Sequence, residues 1–189
     1  MQVKTVDSPI VITKVNDHEK HKETLLSYIN IFNKDNDTDV SSDDMGFSGT
    51  KESNVKSDWV LPRGEYLKYF YDSVIQSNMK EIKEYLNMTQ WAIENGWFQQ
   101  YAEGGKHNWH CHTGTQFTNC YYLELPEEKY KTEIKDLNGN LIDIDVKEGD
   151  LLTFPAYLLH RSKSNGNKRK TVISFNSNFA KWVQDCVTI

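Results

Sequence analysis

Between Trp97 and Phe175 the sequence breaks into short apolar runs separated by turn signals, and this pattern constrains the fold most. Trp97–Tyr101, Phe117–Leu125, Thr132–Ile134, Leu141–Val146, Leu151–Phe154 and Thr171–Phe175 each have the length and the β-branched or aromatic content of a strand. Asn138-Gly139 lies between two of them, the dipeptide that favours a tight hairpin, and Glu148-Gly149-Asp150 turns directly into Leu151. Many short strands in succession close into a sandwich or barrel.

The first half has the other periodicity. Leu25, Leu26, Ile29 and Phe32 recur at helical spacing and predict a helix over His18–Phe32, after a short strand at Ile10–Ile12. Residues 33–57 are rich in Asn, Asp, Ser and Lys without periodicity, which predicts a solvated loop. Tyr66, Tyr69, Phe70, Val74, Ile82, Tyr85 and Leu86 outline one long helix, or two, over 64–87; Asn95-Gly96 marks the change to strands. Helices first and strands afterwards predict an α+β fold. Without repeats or a linker, residues 1–189 read as one domain: helical support over 1–95, a β core over 96–178 and a tail over 179–189.

Composition bounds the function. Net charge is −5 at neutral pH with no basic block, which gives no support for a nucleic-acid partner. No apolar run has membrane-spanning length, and the N-terminal stretch lacks a signal peptide's apolar segment. Cys111, Cys120 and Cys186 suggest no disulfide framework, so a reducing cytoplasm is the expected compartment.

Chemistry concentrates in histidine. His107, His110 and His112 fall within six positions, and His160 follows the strand Leu151–Phe154. Residues two apart on a strand share a face, so His110 and His112 are predicted to project together, with Cys111 turned away. With His160 they form a candidate metal site. A zinc site from His107, His110, Cys111 and His112 alone is less attractive, because neighbours on one strand cannot surround an ion. His18 and His21 read as surface residues. Gln99, Tyr101 and Asn119 are candidate pocket residues, Trp97, Trp109 and Phe154 candidate core, and Asn176 a residue that orients a neighbour. Arg169 opens the last strand, with a planar fork suited to a carboxylate.

The sequence His110-X-His112 before Tyr121-Tyr122-Leu123, then Gly149-Asp150-Leu151-Leu152-Thr153-Phe154-Pro155, His160, and Arg169-X-Thr171 leading to Ser174-Phe175-Asn176, resembles the iron(II)/2-oxoglutarate-dependent oxygenases. It looks closest to a small branch seen in bacteria and phages, and the resemblance spans roughly residues 55–178. It implies a double-stranded β-helix, or jelly-roll, core flanked by N-terminal helices, with Fe(II), 2-oxoglutarate and O2 as reactants and a primary substrate that the motifs leave unnamed. It implies His110, His112 and His160 as catalytic metal ligands, with His112 standing where the family's carboxylate does. It implies Arg169 as partner of the far carboxylate of 2-oxoglutarate, with Thr171 and Tyr122 beside it; a one-residue shift makes Lys170 that partner. Three neutral imidazoles also occur in thiol dioxygenases, which use no 2-oxoglutarate. A metal-binding jelly roll without activity is the third reading.

Overall fold

The structure is a computed structural model; it describes residues 8–40, 47–48 and 54–181, together with Gln2 and Lys4. Cys186 and the tail's last residues lie outside the described residues, as do Asp43 and Asp44 of the predicted loop.

The strands are β1 (Val11–Lys14), β2 (Phe47–Ser48), β3 (Val55–Ser57), β4 (Gln90–Tyr101), β5 (Lys106–His110), β6 (Phe117–Glu124), β7 (Thr132–Ile134), β8 (Asp150–Pro155), β9 (His160–Ser162) and β10 (Lys170–Ala180). They form two antiparallel sheets, a six-stranded one in the order β1-β8-β6-β10-β4-β3 and a four-stranded one in the order β2-β5-β9-β7. The helices are α1 (His18–Asp35), α2 (Glu65–Tyr69) and α3 (Gln76–Tyr85), with a π-helical segment at Phe70–Val74 joining the last two. Of the two alternatives over 64–87, one long helix or two, the divided one is found, and Phe70, Val74 and Ile75 stay buried across the junction.

Strand alternation on the large sheet sorts residues between two cores. Phe98, Tyr121, Leu123, Leu151, Ile173 and Phe175 point outward and pack against Leu25, Ile29, Leu67, Phe70, Met79 and Ile82 of the helices. Their neighbours Tyr101, Cys120, Tyr122, Leu152, Phe154 and Val172 point inward, joined by Ile134, Ile144 and Val146. Each outward side chain of this size contributes on the order of 1.5–3 kcal/mol of transfer free energy by leaving water.

Two expectations about strands change. Asn95-Gly96 does not break the chain; β4 runs through it and pairs with β10 along its length, with an irregularity at Asn176/Ser177. Glycine is needed there because the Tyr71 hydroxyl lies over the backbone, 2.1 Å from where a Cβ would sit. Leu141–Val146 does not form a strand. Asn138-Gly139 turns as expected, with Gly139 at φ 88° and the Asp136 carboxylate accepting from the Asn138 and Asn140 amides at 2.9 and 2.8 Å. Ladder pairing then stops after one bridge, Lys135 to Leu141; the Ile142 N–H donates to Ile134 O at 2.9 Å, Lys131 Nζ donates to Ile144 O, and burial of Ile144 and Val146 anchors the rest. In the predicted loop, α1 extends to Asp35, and β2 and β3 are short strands.

Candidate metal centre

β5 and β9 are neighbours in the small sheet, and their register sets His110 opposite His160. The two imidazoles meet at 4.1 Å between centroids. His112 joins them, with its ring centroid 5.3 Å from His110 and 5.0 Å from His160. One ligand atom from each of the three lies within 4.8 Å of the others.

The outer nitrogens decide which atoms face inward. His110 Nδ1 is 2.8 Å from the Asn108 carbonyl and His160 Nδ1 is 3.0 Å from the Leu158 carbonyl. A carbonyl only accepts, so both Nδ1 atoms carry the hydrogen and both Nε2 lone pairs are free. His112 Nδ1 is 2.7 Å from Asn176 Oδ1 and does the same. Burial depresses all three imidazoles, His110 to about 4 and His160 to about 2, with His112 also lowered. At neutral pH the cluster is three neutral nitrogen donors, a set that suits iron, zinc or copper.

His112 does not sit on the strand as expected. β5 ends at His110, and the His112 backbone N–H donates to Ala156 O at 2.8 Å, which fixes it at the end of β8. The i, i+2 spacing correctly united the two side chains, but the anchor is a loop contact. Cys111 is exposed and free, and is not among the clustered ligands. His107 lies buried against His110, its ring stacked at 3.8 Å.

A cavity opens between the sheets at this cluster; Gln99, Tyr101, Cys120, Lys170 and Ser174 are among the residues that line it. Lys170 is the outstanding charge. It is 1% exposed; Nζ donates to Tyr130 O at 2.9 Å and to Ser162 Oγ, and lies 4.2 Å from the Tyr101 ring centroid. No carboxylate among the described residues pairs with it. Burial pushes its ammonium down to about 8, against which the Cys120 thiol acts in the other direction. A buried cation without a counter-charge is costly, and it favours an anion in the same cavity.

Arg169 and Thr171 are placed otherwise than expected. Lys170, Val172 and Ser174 share the cavity face of β10, so Arg169 and Thr171 have the opposite parity. The Arg169 guanidinium forks onto Glu124 at 2.8 Å through Nε and Nη2, half exposed. The Thr171 hydroxyl donates to the same carboxylate and accepts from Gln100 at 3.3 Å. Tyr122 is fully buried on the inner face, where its hydroxyl accepts the Thr132 N–H at 3.1 Å. Lys170, the alternative that a one-residue shift gives, is the one of these two cations that lines the cavity.

The remaining histidines and aromatics also settle. His18 and His21 are not free surface residues; they bond the hydroxyls of Tyr121 at 2.6 Å and Tyr69 at 2.9 Å. His18, Glu19 and Glu148 gather as a second group, but Lys22 and the Leu125 N–H already hold the Glu148 carboxylate, so this is an ion-pair network. Trp97 and Phe154 are buried as expected, and both also line the cavity, packing on His112 and His160. Trp109 lies between Arg161 and Lys135, each about 4.5 Å from its ring. Asn119 faces Thr153 and Ser177, away from the cavity.

Comparison with solved structures finds this arrangement of sheets in oxygenases. A Pseudomonas putida prolyl-4-hydroxylase matches with a TM-score of 0.61 at 11% identity over 93% of this chain and 94% of that one. The fold is that of the iron(II)/2-oxoglutarate oxygenases. The oxygenase fold recurs in the viral collagen prolyl hydroxylase of Paramecium bursaria Chlorella virus-1, solved with 2-oxoglutarate, at TM-score 0.55 and 15% identity over 90% of this chain and 96% of that one. It recurs in HygX from Streptomyces hygroscopicus, solved with nickel, 2-oxoglutarate and hygromycin B, at TM-score 0.61 and 11% identity over 93% and 86%. No family model matches the sequence, and no curated protein matches it. No described helix is long and apolar enough to cross a membrane.

Proposed function

We propose that the protein is an iron(II)- and 2-oxoglutarate-dependent oxygenase whose metal is held by His110, His112 and His160. The observation that carries this reading is Lys170, a buried ammonium without a carboxylate, lining the same cavity as three converging imidazoles. An iron(II) ion needs donors with free lone pairs, and the Nδ1 bonds leave three on the imidazoles. A dicarboxylate chelating that ion needs a cation for its far end, and Lys170 is the buried cation of the cavity.

Iron and 2-oxoglutarate, when bound, supply the oxygen activation. The chain's residues bind, orient and exclude water. The Lys170 ammonium takes the far carboxylate, while Ser162 and Tyr130 O fix where that ammonium points. Trp97, Phe154 and Val172 give the cavity apolar walls that keep water from the reacting end. Three neutral ligands would leave an iron(II) ion's double charge for a bound anion to balance. Hydroxylation is favoured over halogenation as the outcome, because His112 fills the position that a small residue would free for halide.

The test is an anaerobic titration of the Fe(II)-loaded protein with 2-oxoglutarate, followed by visible absorption. Chelation through the keto acid gives a weak charge-transfer band, expected in the protein and in Arg169→Ala and lost in Lys170→Met. Bound iron without a band would overturn the reading and favour a three-histidine dioxygenase that uses no 2-oxoglutarate.

A further inference from the structure

The three imidazoles are not held by the same means. His110 and His160 each donate to a carbonyl two residues earlier in their own chain, a contact that backbone alone supplies. His112 lies beyond the end of β5, and its Nδ1 is bonded otherwise; its acceptor is the side chain of Asn176 on β10 of the large sheet. Asn176 is itself buried and bound on both sides. Its Nδ2 donates to Asn95 Oδ1 at 2.9 Å, and its Oδ1 is 3.4 Å from the Thr118 hydroxyl, which lies 2.9 Å from His112 Nδ1. These residues are one row of the sheet: β10 sets Asn176 opposite Asn95 on one side and opposite Thr118 on the other.

We infer that Asn176 is the positioning residue that makes His112 a metal ligand, with Asn95 and Thr118 setting the direction in which its amide points. The inference rests on the three-histidine reading of the metal centre given above. An amide can present either oxygen or nitrogen, and the two choices have opposite effects. With Nδ2 committed to Asn95, the oxygen faces His112 and accepts from Nδ1, so the lone pair stays on Nε2, toward His110 and His160. Turned over, the amide would present a donor, move the imidazole hydrogen to Nε2 and close the third ligand position. Neighbours of metal-bound histidine act in this way, fixing tautomer and ring orientation. A neutral amide does so without adding charge, so the ligand set stays uncharged even where the family has a carboxylate. On this account His112 is a ligand the sheet was built to hold, rather than the remnant of a lost site.

The experiment has a readout without metal and one with it. In metal-free protein with 15N-labelled histidine, two-bond proton–nitrogen correlations report the tautomer of each ring. Co(II) titration, followed by its d–d absorption, reports affinity at the site. Wild-type His112 is expected as the Nδ1–H tautomer, and Asn176→Leu is expected to lose that preference and bind Co(II) roughly 10- to 100-fold more weakly. Asn176→Asp keeps an acceptor facing His112 and is expected to keep both tautomer and affinity. Should Asn176→Leu not fold, Asn95→Ala, which frees the amide to turn, is expected to give a smaller loss in the same direction. An Nε2–H tautomer in wild type, or wild-type affinity in Asn176→Leu or in a folded Asn95→Ala, would overturn the inference. Loss of Co(II) binding in wild type, with the tautomer still following Asn176, would instead overturn the metal-centre reading and leave the hydrogen-bond relay standing.

Discussion

The two faces of strand β10 carry adjacent residues with separate duties. Ile173 and Phe175 point to the helices and are fully buried among Phe70, Tyr121 and Leu25. Lys170, Val172, Ser174 and Asn176 point to the other side, three of them into the cavity and Asn176 onto His112. The outward face spends its area on apolar packing, which is tolerant of sequence as long as volume is kept. The inward face buries polar groups, and each has a partner whose identity matters. The fold's stability and its chemistry are thus separated by one residue of register.

The largest test of that division is a pair of truncations. His160→Ala is expected to abolish stoichiometric Fe(II) binding, measured as metal per chain, while circular dichroism keeps the sheet signal. Phe175→Ala removes a ring packed at 5.7 Å from Phe70 and 6.4 Å from Tyr71. It is expected to cost about 3–5 kcal/mol in denaturant unfolding. If His160→Ala unfolds the protein, or Phe175→Ala leaves its stability unchanged, the division between faces is wrong.

Lys170 sharpens the comparison, since it places a charge where the outward face would have an apolar side chain. Lys170→Met is expected to weaken 2-oxoglutarate binding by about 2–5 kcal/mol, roughly thirtyfold or more. The same change is expected to raise the melting temperature, because it removes a buried, uncompensated ammonium. An unchanged affinity would remove Lys170 from the cosubstrate's site.

The pH dependence follows from the same residue, whose ammonium is pushed down to about 8 by burial. Below that pH both folded and unfolded chains are protonated, and the folded chain bears the burial penalty in full. Between about 8 and the ordinary lysine value of 10.5 the unfolded chain binds more protons, so stability should rise with pH over that window. The cosubstrate needs the charged form, so its affinity should fall over the same window. Lys163, which lowers the ammonium, and the Cys120 thiol are the neighbours that modulate it. Chemical unfolding at several pH values, wild type against Lys170→Met, checks the first trend; a wild-type profile that runs parallel to the mutant's would contradict it.

What the sequence made legible follows from how local each signal is. Alternation and helical spacing are local, and they gave the strands β6, β7, β8 and the helix α1 near their observed bounds. The three histidines were legible because metal ligands are chemically distinctive and His110 and His112 lie close in sequence. The extent of β4 is not legible, because Asn95-Gly96 reads locally as a break and the reason for the glycine, Tyr71 packed over it, comes from a distant helical segment. Leu141–Val146 has strand composition, but it leaves the edge of β7 after one bridge and turns Ile144 and Val146 into the inner core instead. The spacing Arg169-X-Thr171 favours Arg169 over Lys170 from sequence, but which face of β10 meets the cavity depends on distant contacts: Glu124 on β6, which takes the Arg169 fork, is 45 residues away.

The smallest expected effect closes the comparison. Arg169 and Lys170 are consecutive cations, one held by two hydrogen bonds to Glu124 at a half-exposed edge and one buried without a carboxylate. Surface ion pairs contribute about 0.2–1 kcal/mol because water screens them and ordering the side chains costs entropy. Arg169→Ala should therefore change unfolding free energy by no more than about 1 kcal/mol and leave 2-oxoglutarate affinity within roughly twofold. Glu124 retains the Thr171 hydroxyl after the change, so its carboxylate is not stranded. Equilibrium unfolding and the charge-transfer titration on this one variant decide between the two cations: a large loss of cosubstrate binding would reassign the carboxylate to Arg169 and require β10 to present its other face to the cavity.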